Sequence, residues 1–197
     1  MLGDDGGTRH SLEAIVQQYK EGGDIPRLLD QLSAMAAVAS TPALIAAVQP
    51  YRDMHEVAGP LYEIIVEREP NNAVALVALG NAFWLTGRGP EVVGELASRA
   101  LASDPSNRAA WHLWALTESS PRQRMKRWRQ VSERFPTDDL ARASLADNAA
   151  SVAGSENDPV ALKLAIASYE ALLATATQAS QVAALESALN TLRNWTV

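Results

Sequence analysis

PNNAVALVALGNAFWLTGRGPEVVGELASRALASDP, residues 70–105, decides the fold. Asn72 can cap a helix over 73–85, in which Leu76, Leu79 and Phe83 recur at helical spacing. Gly87 and Gly89 break that helix, and Pro90 suits the opening turn of the next, which Asp104-Pro105 closes. The stretch reads as two antiparallel helices joined by a short turn. Gly80 and the small residues Ala97 and Ala100 would let the pair approach closely.

The same punctuation recurs outward. Pro90 and Pro105 stand fifteen residues apart, as do Pro121 and Pro136, and each pair brackets one helix. A shorter helix over 107–117 opens after Pro105-Ser106. The unit is a helix pair with a period of about 31–35 residues, which in an all-α chain indicates a solenoid. Upstream, Leu12, Ile15, Val16 and Tyr19 mark a helix ended by Gly22-Gly23; Asp24 and Thr41-Pro42 open two more. Residues 51–57 carry no clear pattern. Residues 1–8 read as a flexible lead-in, and 9–197 as a single domain with its best repeats at about 55–136. A last helix over 181–195 would cap the array.

This pattern resembles the tetratricopeptide repeat. Leu76, Leu79-Gly80, Phe83 and Gly87 match its first helix, and Ala97, Ala100-Leu101 and Asp104-Pro105 its second. Trp111 begins the next repeat well, but Trp114-Ala115 stands where Leu-Gly is usual. Ala58, Tyr62, Ile65 and Pro70 resemble the second half of a preceding repeat. The resemblance implies an α-solenoid of antiparallel helix pairs, a right-handed superhelix flanked by N-terminal helices and a C-terminal capping helix. It implies a protein-binding module. Some members hold a peptide's terminal carboxylate with Lys, Asn and Arg on successive first helices. Asn81 fits that layout, but Val77 and His112 stand where basic residues would be expected and Ala143 follows in the next repeat, so a mostly apolar groove is expected instead.

Composition agrees with a helical, non-catalytic chain. Thirty-five of 197 residues are Ala, the strongest helix former, and no run alternates in the manner of a strand. Without Cys there is no thiolate chemistry, disulfide or cysteine metal site, and three scattered His leave no metal motif. His55-Glu56 lacks the second histidine of a zinc helix, and no nucleophile elbow or phosphate loop is present. Neither catalytic residues, cofactor, metal nor small-molecule substrate is expected. No secretory leader or membrane-spanning segment is legible, which points to a cytoplasmic protein, although a chain whose anchor had been cut away would read identically.

Two surfaces stand out. The helix over 73–85 is apolar almost all round: besides the Leu76–Phe83 stripe it carries Val74, Val77 and Trp84. Such a helix must be covered on both sides, by neighbouring helices or by a partner. Val74, Val77, Asn81, Trp84 and, in the next repeat, His112 are the expected partner-binding groove. The second surface is a basic run, Arg122, Arg124, Lys126, Arg127 and Arg129, in a chain of net charge −6. It reads either as a solvated outer face or as a docking patch for an acidic protein surface. Nucleic acid is disfavoured by the acidity of the remainder. The expected function is an adaptor binding another protein or a peptide segment. The alternative is a structural subunit of a homo-oligomer or larger assembly, and a nucleic-acid-linked regulator using the helix over 121–135 ranks below both.

Overall fold

A computed structural model describes residues 5–195, which form eleven α-helices and one 3-10 turn, with no strand among them. The helices are α1 (Asp5–Gly22), α2 (Ile25–Val38), α3 (Thr41–Val48), α4 (His55–Arg68), α5 (Ala73–Leu85), α6 (Pro90–Ser103), α7 (Arg108–Leu116), α8 (Pro121–Arg134), α9 (Asp139–Glu156), α10 (Pro159–Leu173) and α11 (Ala179–Arg193). The fold is an all-α helical repeat.

Local chemistry sets most boundaries. Asp24, Asn72, Asn107 and Asp138 each accept a hydrogen bond from the amide three residues on, at 3.0–3.2 Å. Asp158 caps α10 through the amides of Val160 and Ala161. The cap of α3 is Ser40 rather than Thr41, which occupies the first helical position before Pro42. Gly87 and Gly89, at φ 74° and 92°, make the turn into α6 with backbone that side-chain-bearing residues resist. The patternless stretch 51–57 resolves into the end of the 3-10 turn Gln49–Tyr51, a short turn, and the start of α4 at His55.

Helix α1 begins at Asp5, inside the stretch expected as a lead-in, while residues 1–4 lie outside the described residues. Thr8 is already buried. The chain divides into two compact units, Met1–Leu113 and Trp114–Val197, where the sequence reading took 9–197 as one domain.

In the first unit α1 packs on α2 and α3, α2 and α3 on α4, and α4 and α6 on α5. Leu12, Leu28, Leu32, Leu44, Leu61, Ile65 and Leu76 are fully buried. Each such side chain contributes about 1.5–3 kcal/mol over its exposed state. In the second unit α8 packs on α9, α9 on α10 and α10 on α11. Its core is alanine-rich, with Ala146, Ala149, Ala153 and Ala165 fully buried, so α9 and α10 lie close together. Leu185, Leu189 and Leu192 of α11 are buried, and its other face is polar or small, as a terminal repeat requires.

Candidate functional site

Helix α5 carries apolar residues on opposite faces with different fates. Leu76, Leu79 and Gly80 are buried in the helix-pair seam. On the other side Val74, Trp84 and Leu85 remain 61%, 38% and 64% exposed, over a floor made by buried Val77. No helix among the described residues buries these side chains.

They line a groove of about 510 Å³ between α5, the start of α4 and the 3-10 turn. Its walls are Val74, Val77, Ala78, Asn81, Ala82, Trp84 and Leu85 from α5, His55 and Tyr62 from α4, and Gln49, Arg52 and Asp53 from the turn. Four of the five expected groove residues, Val74, Val77, Asn81 and Trp84, come together there. His112, half-buried on α7, is not among the lining residues.

The groove is apolar with a polar rim. Asn81 is exposed and its amide makes no hydrogen bond among the described residues, so it retains both donors and acceptor. Arg52 and Asp53 form a loose, highly exposed pair at 3.9 Å, worth little in stability and easily opened. Burial raises the pKa of the Tyr62 phenol, an effect that nearby Arg52 opposes, so its hydroxyl stays protonated. His55 Nδ1 is buried without a hydrogen-bond partner.

Sequence reasoning missed Ala78, Ala82 and Leu85 of α5, His55 and Tyr62 of α4, and Gln49, Arg52 and Asp53 of the turn. Leu85 was accessible to it, lying four residues beyond Asn81 on the same face. The turn was not, because three residues of 3-10 helix carry no periodicity to read.

The basic run is organised differently from a free patch. Arg122 binds Glu156 at 2.8 Å and Asp158 at 2.7 Å. Arg124 donates to Asn148 at 2.8 Å and to the Glu118 carbonyl at 3.1 Å. Arg127 donates to the Trp114 carbonyl at 2.7 Å, pairs with Glu118 at 2.8 Å and lies 4.4 Å from the Trp114 ring centroid. Arg129 pairs with Glu133 one turn on, and Lys126 is exposed. Most of the positive charge is thus neutralised within the second unit. Trp128 and Val131 of α8 are buried.

No helix among the described residues is long and apolar enough to cross a membrane. No group of three or more His, Asp or Glu there is placed to hold a metal ion.

Solved structures share this architecture. One is PilF of Pseudomonas aeruginosa, with a TM-score of 0.63 at 15% identity over 95% of this chain and 86% of that one. Another is TTC0263, a thermophilic TPR protein of Thermus thermophilus, with a TM-score of 0.55 at 16% identity over 95% and 100%. A third is YrrB, described as a TPR protein with an unusual peptide-binding site, at 0.55 and 17% over 77% and 81%. The fold is therefore that of the tetratricopeptide-repeat proteins, in divergent form. No protein-family model matches the sequence, and no curated protein does.

Proposed function

We propose that the protein is a non-catalytic interaction scaffold that holds a segment of another protein in the α5 groove. The observation carrying this reading is the exposed second face of α5. A helix with mean side-chain character this apolar is normally covered on all sides, yet Val74, Trp84 and Leu85 face solvent beside a preformed cavity. The tetratricopeptide fold, and a peptide-binding site in one protein that shares it, support the same reading.

The mechanism is equilibrium binding. The α4 and α5 walls are packed helices, so most of the groove need not reorganise, and the ordering cost falls mainly on the incoming segment. Apolar side chains of a helix or extended stretch would lie on Val74, Val77 and Trp84 while Asn81 pairs with its backbone. His112, outside the groove lining, has no part in this scheme.

Light scattering after size exclusion, across concentration, tests the reading. A monomer near 21 kDa leaves the groove open for another protein. A stable larger species that reverts to monomer on Trp84→Ala would mean that a second copy occupies it, and the structural-subunit reading would replace the adaptor.

A further inference from the structure

A second cleft, of about 480 Å³, opens between α2, α4 and the end of α5. It shares only His55 and Ala82 with the α5 groove. Its walls are apolar: Ile25 and Leu29 of α2 are 41% and 42% exposed, and Phe83 and Pro60 complete the surface.

The floor of the cleft is built against helix propensity. Gly59 and Pro60 lie in the interior of α4 and line the cleft together. They are the two residue types least suited to that position. Packing does not account for the glycine, since a Cβ at Gly59 would meet nothing within 4 Å. What Gly59 does is leave the floor open. Pro60 has no N–H for the carbonyl of Glu56 four residues earlier, which deprives that carbonyl of its usual helical donor.

The polar chemistry is one-sided. Glu63 is half-buried in the cleft with no ion pair among the described residues, and Glu56, two turns earlier on α4, accepts a hydrogen bond from the Tyr19 hydroxyl. The Thr86 hydroxyl already donates to the Ala82 carbonyl at 2.9 Å. The cleft's one arginine, Arg88, lies 5.2 Å from the Phe83 ring centroid. Residues 1–113 taken together are acidic, with fourteen Asp and Glu against eight Lys and Arg.

We infer that this cleft is a docking socket for a basic, otherwise apolar segment of a partner protein. An Arg or Lys side chain of the partner is directed at the unpaired Glu63, and its apolar neighbours rest on Ile25, Leu29 and Phe83. Cationic donors complement a site that offers mainly acceptors, whereas a phosphate chain would be repelled by the same carboxylates. This surface adjoins the α5 groove at His55 and Ala82 but takes its apolar wall from α2.

The test uses the full chain, labelled for amide NMR, and two short synthetic peptides of Leu and Ala that carry Arg in one and Glu in the other. The arginine peptide is expected to shift amides of residues 25–29, 56–63 and 82–88, and the glutamate peptide to leave them unmoved. Glu63→Gln should weaken the arginine peptide about fivefold without lowering the melting temperature, while Glu67→Gln, on an exposed site of the same helix, should not weaken it. Gly59→Ala should raise the melting temperature and weaken the peptide. Equal binding of both peptides, or unchanged binding by Glu63→Gln, overturns the assignment. Shifts confined to Val74, Asn81 and Trp84 also overturn it, while supporting the groove.

Discussion

Gly80 of α5 sits directly beneath Leu113 of α7: a Cβ on Gly80 would collide with Leu113 Cδ2 and lie 3.7 Å from Leu113 Cγ and 3.8 Å from Leu96 Cβ. Leu113 is itself buried, so it has little room to withdraw. The glycine permits the close approach of Leu113 to α5.

Replacing Gly80 therefore overpacks the seam. Gly80→Leu should cost about 3 kcal/mol, read as a lower denaturation midpoint with an unchanged slope. An unchanged midpoint would show that the pair is spaced more loosely than described.

Trp84 should behave differently. At 38% exposure, with its ring on the groove, Trp84→Ala should cost about 1–2 kcal/mol, less than Gly80→Leu, and weaken partner binding by about tenfold or more. Thermal unfolding by circular dichroism separates the two effects.

Arg127 is tied into the second unit by three contacts. It holds the Trp114 carbonyl, the Glu118 carboxylate and the Trp114 ring at once. Arg127→Ala should destabilise the second unit by about 1–3 kcal/mol, and Arg127→Lys should recover little, since an ammonium lacks the planar fork. Chemical denaturation of both variants checks this.

Asp158 makes the protein acid-sensitive. Its carboxylate accepts the Ala161 amide and an Arg122 hydrogen bond, and these hold its pKa below the usual 3.8. As pH falls through 3.8 the unfolded chain takes up the proton first, so the contribution is complete at neutral pH and is lost progressively below that value. Melting temperature should drop in this range for the wild type, and Asp158→Asn should flatten that limb.

The fold was legible where its signals are local. Asn72, Gly87, Pro90, Pro105 and Pro121 act on the backbone within a few residues, and α5, α6 and α8 begin where these residues place them. The start of α1 was not legible, because Gly6 and Gly7 are poor helix formers; burial of Thr8 and Leu12 in the first unit accompanies a helix that propensity would not carry. Four groove residues were legible because helical spacing alone assigns them to an unused face of α5. The fate of the basic run was not. Glu156 and Asn148 lie 34 and 24 residues from the arginines they bind, a distance across which charge patterning in sequence gives no pairing. His112 was placed by analogy between repeats, and the break between the units at Leu113 falls beside it.

The central claim is that the exposed face of α5 is a docking surface for another protein. The most direct measurement is quantitative affinity capture from cell extract with the wild type, Trp84→Ala and Val74→Asp, after matching all three for melting temperature. The account predicts a defined set of proteins retained by the wild type and lost with both variants. Equal recovery of that set by all three would contradict it.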